Sequence, residues 1–209
     1  MSVSSAAFLS GLGMGLGLIV AIGAQNVFVL RQAIKREFVA EVVAICIASD
    51  ILCITLGVAG VGAVIKAHPL VVMLVQYGGA AFLAYYGVLA LRRALAGQSV
   101  LSTQSTTPAA NTFRKVVLAC LGFTFLNPHM YLDTVVLLGS LSTTYHNGEQ
   151  WIFAAGAYAA STLWFCVLGW GGKKLIPLFS NPRAWQIFDG LIALIMFVLA
   201  YQLGSSSLV

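Results

Sequence analysis

Charge is the scarcest property of this chain. Only 8% of its 209 residues are charged, six acidic and eleven basic, while 60% are hydrophobic and the mean hydropathy is +0.95. That leaves too little polar surface to coat a soluble globule of this size, so a water-soluble fold is excluded. Cys46, Cys53, Cys120 and Cys166 all sit inside apolar runs without a close CxxC spacing, which argues against a zinc site or a disulfide framework and leaves them as small packing residues. The +5 net charge comes from basic residues scattered between apolar runs, with no stripe interleaved with aromatics, so no nucleic-acid partner is expected. No Lys or Arg precedes Arg31 and the first apolar run exceeds a signal core, so a cleaved leader is not expected. No Ser-His-Asp set, metal-ligand cluster or phosphate loop is present; enzyme activity, a cofactor and a metal are not expected.

What is abundant is long apolar sequence. An apolar stretch of about 20 residues crosses the hydrocarbon as a helix, because its backbone amides must be satisfied within the segment. Stretches 4–30, 39–65, 69–91, 116–141, 150–172 and 184–203 qualify, which predicts an all-α integral membrane protein with six transmembrane helices. Basic residues collect in alternate gaps: Arg31, Lys35 and Arg36 in the first, Arg92, Arg93, Arg114 and Lys115 in the third, Lys173, Lys174 and Arg183 in the fifth. Only Lys66 falls in the second, and the fourth has none. Short cytoplasmic loops collect Lys and Arg, so both termini are expected outside.

The third gap is also the largest. Gly97 to Thr112 is rich in Ser, Thr and Gln, which predicts a flexible linker over 96–112 between a unit of three spans at 1–95 and another at 113–209. A three-span unit repeated in tandem enters the bilayer in opposite senses, so two inverted repeats are expected. Ala48-Ser49-Asp50 followed by Gly57 matches Ala160-Ser161-Thr162 followed by Gly169 at a constant offset, and Ile22-Gly23-Ala24-Gln25-Asn26 has a counterpart in Phe125-Leu126-Asn127-Pro128-His129.

Two acids interrupt the apolar runs. A charged side chain near the middle of a span costs about 2.5–3.5 kcal/mol on insertion scales, so Asp50 and Asp133 need a purpose, and intramembrane acids ordinarily mark a pathway for ions, protons or substrates. Helix-weakening patches accompany them. Pro128 cannot donate its amide and crowds the preceding turn, freeing carbonyls beside Asn127, His129 and Asp133; Gly23 loosens the stretch carrying Gln25 and Asn26. Tyr131 is a candidate by its nearness to Asp133. Asp189 follows Arg183 and Trp185, which suggests a boundary salt bridge outside this site. Gly11, Gly15, Gly13 and Gly17 make small-xxx-small pairs suited to helix packing, internal or between subunits of a homo-oligomer. The tryptophans suit membrane interfaces or bundle packing.

The segments Ala21-Ile-Gly-Ala-Gln-Asn-Val-Phe-Val-Leu-Arg-Gln, Ile34-Lys-Arg-Glu, Ser49-Asp50, Leu126-Asn-Pro-His-Met-Tyr-Leu-Asp-Thr134 and Trp151-Ile-Phe-Ala-Ala-Gly-Ala-Tyr-Ala-Ala-Ser together resemble the L-lysine/L-arginine exporters of the LysE type. The similarity runs over essentially the whole chain. Many members have proline where this chain has Ala24, so here Gly23 must supply any break. The resemblance implies export of basic amino acids across a bacterial inner membrane, energised by protons. It implies that Asp50 and Asp133 are the family's two intramembrane aspartates and that Asn127 and Pro128 form its Asn-Pro patch. On this view Asp50 and Asp133 both couple protons and pair with the substrate, while Gln25, Asn26, Asn127 and Tyr131 help hold it. Neutral amino acids or an inorganic cation are alternative cargoes, and a passive channel is an alternative mechanism, separable because a channel only dissipates gradients.

Overall fold

The computed structural model describes residues 3–20, 23–60, 69–96 and 109–205. Among these the chain is entirely helical, with no strand. The helices are α1 (Val3–Ile19), α2 (Ala24–Lys35), α3 (Val39–Val58), α4 (Pro69–Ala96), α5 (Ala109–Phe125) and α6 (Pro128–Met130). α6 runs into a π-helix (Tyr131–Leu137), which continues as α7 (Leu138–Ser142). α8 (Glu149–Gly171) and α9 (Pro182–Ser205) follow, joined by a 3₁₀ segment (Gly172–Ser180).

Four helices are long and apolar enough to cross a membrane: Val39–Val58, Met73–Ala96, Glu149–Pro177 and Arg183–Ser205. The pair Ser4–Ile19 and Ala24–Lys35, bent by 82°, makes a fifth if taken as one broken span. The stretch expected to cross at 116–141 is interrupted instead: its first helix stops at Phe125, and a separate helix starts at Pro128. The reason is local, because proline is well suited to the first helical position and poorly suited to the interior. Of the linker expected at 96–112, residues 97–108 lie outside the described residues, as do Lys66 and His68, whereas 109–112 begin α5 and are not linker.

Glycine sets how closely the helices approach. α1 lies along α8, where a Cβ on Gly11 would strike the carbonyl of Phe153, one on Gly156 would strike that of Phe8, and one on Gly15 would come within 2.8 Å of Ala160 Cβ. A Cβ on Gly13 or Gly17 would meet nothing among the described residues, so of the two small-residue pairs it is Gly11 and Gly15 that pack against α8 there. α3 runs through the centre. It meets the π-helix and α7 through Gly57 and Gly139; a Cβ on Gly57 would sit 2.6 Å from the Thr134 carbonyl oxygen. α4 and α9 form a second close pair, with Gly87 under the Phe197 ring.

The outward faces are apolar. Leu70, Leu74, Tyr77, Leu95, Leu194 and Tyr201 are each more than half exposed, as expected for surfaces that meet lipid rather than water. Contacts between helix ends gather the basic residues at one end of the bundle. Arg31 near the end of α2 and Arg93 near the end of α4 both pair with Asp189 near the start of α9, and Phe38 before α3 meets Phe113 at the start of α5 with ring centroids 5.2 Å apart.

Candidate functional site

Both helix breaks open onto one cavity. It encloses about 260 Å³ and is lined by Gly23, Gln25 and Asn26 from the first break, Asn127, His129 and Asp133 from the second, and Asp50 from α3. Phe82 and Leu83 of α4, Phe123 of α5, Phe165 of α8 and Gln202 of α9 contribute to the walls. The volume suits one small metabolite rather than a larger ligand. Of the residues expected at the substrate site or its helix breaks, Tyr131 and Pro128 do not line it.

Each break is tied by side chains. At the first, Asn26 Nδ2 donates to the Ile19 carbonyl at 2.8 Å, while Trp164 Nε1 donates to Asn26 Oδ1 at 3.3 Å. Asn26 therefore satisfies an orphan carbonyl at the end of α1 and is itself held by α8. At the second, Asn127 is extended and caps α6, its Oδ1 accepting from the His129 amide at 3.2 Å. Tyr131 Oη donates to the Phe125 carbonyl at 3.0 Å, satisfying a carbonyl at the end of α5. Its observed contact is thus with the broken backbone. Pro128 occupies the first position of α6, and the Leu126 carbonyl beside it lies where only a glycine, Gly79, leaves room.

The two acids sit in unlike surroundings. Asp50 is buried, and Ser161 Oγ of α8 donates to its Oδ2 at 2.7 Å. Asp133 is half-buried in the π-helix, four residues after His129. Among the described residues neither carboxylate has an ion pair. A buried acid without a counter-cation costs free energy, which makes it able to accept a proton or a cationic group from a ligand. Gln25 adds a buried side-chain amide that lies beside Cys46.

Several neighbours escaped the sequence reading. Ser161 was matched to Ser49 as a repeat position, and both are buried, but its contact is with Asp50. The paired positions Asp50 and Thr162 do not behave alike: Thr162 is exposed and bonds back to the Tyr158 carbonyl. The π-helix had no signature beyond the preceding Asn-Pro break. π-Helical turns often occur at functional sites, and this one carries Asp133. Trp164, expected to serve packing or an interface, holds Asn26.

Long apolar helices around a small, largely apolar cavity that holds two acids define a polytopic membrane protein. The chain belongs to the LysE-type translocators: residues 16–207 match that family's profile, described as LysE type translocator. It is 34% identical to the lysine exporter LysE of Corynebacterium diphtheriae over 97% of this chain and 99% of that one. It is 37% identical to the arginine exporter protein ArgO of Serratia proteamaculans over 95% and 96%. It is also 48% identical, over 87% and 88%, to a Mycobacterium bovis protein whose name proposes amino-acid transport without specifying a cargo. No solved structure matches the chain significantly. The family is one of amino-acid exporters.

Proposed function

We propose that this protein exports basic amino acids, lysine or arginine, from the bacterial cytoplasm in exchange for protons. The observation that carries the reading is the convergence of Asp50, Asp133 and the amides of both helix breaks on one cavity. A substrate ammonium or guanidinium would replace a proton on the acids, while Gln25, Asn26 and Asn127 would orient the α-amino and α-carboxylate groups. Relatives named as lysine and arginine exporters support the cargo. Moving a cation out of a cell that is negative inside works against about 2.3 kcal/mol per charge per 100 mV. Exchange with one incoming proton cancels that charge movement. A carboxylate that holds either a proton or the cargo, never both, provides the coupling.

In this reading the chain crosses the inner membrane six times as two inverted three-span units, with the cation-rich end in the cytoplasm and both termini outside. The packing supports such a repeat, because the first broken segment lies along α8, the middle span of the second unit, while the second broken segment lies along α3, the middle span of the first. The test is efflux of radiolabelled lysine and arginine from proteoliposomes at imposed pH gradients. Wild-type protein is expected to drive saturable uphill efflux, whereas Asp50→Asn and Asp133→Asn are expected to lose it; normal transport by both variants would refute the coupling role.

A further inference from the structure

Asp189 lies outside the cavity and is only 3% exposed. Its Oδ1 is 3.1 Å from Arg93 Nε and 3.3 Å from Arg31 Nη2, so one carboxylate holds two guanidinium groups and joins α2, α4 and α9. The Nε of Arg31 is buried without a hydrogen-bond partner among the described residues. Two cations on one acid leave the cluster positive and incompletely satisfied.

Between this cluster and the cavity lies a layer of rings. Phe123 of α5 packs on Phe28 of α2 with centroids 5.0 Å apart, on Phe82 of α4 at 4.9 Å and on Tyr86 of α4 at 4.6 Å. Phe82 and Phe123 are themselves cavity walls. Along α9, Asp189 and the wall residue Leu199 are separated by roughly 15 Å at the helical rise of 1.5 Å per residue. The same spacing separates Arg93 from Leu83 on α4. The order from the cavity to the basic end is therefore cavity, aromatic layer, ion cluster.

We infer that Asp189, Arg31 and Arg93, stacked on the Phe28/Phe82/Tyr86/Phe123 layer, form the cytoplasmic gate of the transporter, closed in this conformation. These are positioning residues that hold three helices together. A buried ion cluster suits a gate because its partners must be desolvated to close and can be rehydrated to open, giving two discrete arrangements. The inference rests on the exporter reading for its orientation, with the basic end in the cytoplasm.

Accessibility tests the gate without using cargo, so its outcome is independent of the efflux assay. A Leu199→Cys reporter in full-length protein with the four native cysteines replaced by alanine is labelled by a membrane-impermeant methanethiosulfonate reagent in inside-out vesicles. Asp189→Asn is expected to raise the labelling rate from the cytoplasmic side by about tenfold, because removing the shared acid biases the closed state against the open one. Arg93→Gln, which leaves the Arg31–Asp189 pair in place, is expected to raise it less, and it serves as the second variant should Asp189→Asn fail to reach the membrane. Asp189→Glu, which keeps the charge, is expected to stay near the reporter background. Unchanged labelling in both neutralised variants would overturn the gate, as would Asp189→Glu opening as far as Asp189→Asn.

Discussion

Asp50 and Asp189 are almost equally buried, at 4% and 3% exposure, yet one has a single serine hydroxyl at 2.7 Å and the other has two guanidinium groups within 3.3 Å. Depth alone therefore says little about what a carboxylate does. Asp189 has its charge answered by the protein and can lock helices together. Asp50 has not, and it lines the cavity, where under the proposed function an incoming proton or cation would answer it. Asp133 belongs with Asp50 by its place in the cavity but is less enclosed.

The largest effect expected from breaking this contrast is at Asp50. Asp50→Asn should reduce proteoliposome efflux by about two orders of magnitude or more, as expected when one partner of a buried charge interaction is removed. Its folding stability should change by less than about 1 kcal/mol, because an amide oxygen still accepts the Ser161 hydroxyl. Normal efflux by this variant would erase the distinction between the two acids.

Asp189→Asn should differ from Asp50→Asn by its effect on stability. It strands two guanidinium groups, so the protein should lose about 2–3 kcal/mol of stability, below the usual range for broken buried pairs because Arg93 is partly exposed. Thermal unfolding in detergent checks this, and an unchanged midpoint would remove the locking role. Ser161→Ala sharpens the other side of the comparison. Losing a hydrogen bond to a charged acceptor costs about 1.5–3 kcal/mol, so efflux should fall by about tenfold with little change in expression. The smallest effect is expected for Arg93→Lys, which keeps the charge but loses the planar donor; a loss of about 0.5–1 kcal/mol in the same unfolding measurement would fit a partly exposed pair.

The candidate site was readable in the sequence to an unusual degree because intramembrane polar groups are conspicuous. Asp50, Asp133, Gln25, Asn26 and Asn127 stand out against apolar neighbours, and all five line the cavity. Tyr131 was singled out by its nearness to Asp133 and Pro128 as a helix breaker, and the contacts of both serve the second break. Ser161 could not be recognised as the partner of Asp50, since an apolar helix carries many small hydroxyls and their azimuths are fixed only by packing. Asp189 was expected to make a boundary ion pair and does make ion pairs, but with Arg31 and Arg93 rather than its sequence neighbour Arg183. Span boundaries were legible to within a few residues for α3, α8 and α9 at their starts. The helix break expected at Pro128 is present between Phe125 and Pro128, where Asn127 and Tyr131 satisfy backbone groups that a break exposes.

Composition alone determined that this chain lives among lipids, since its few charges could never solvate so much apolar surface. The same scarcity marked which side chains to consider for a site, because each charge in hydrocarbon needs a reason. Tertiary structure decided which acid stays open and which is locked. That choice depends on whether a guanidinium or a cavity lies within a few ångströms, a matter of helix rotation and glycine-limited approach between segments far apart in the chain.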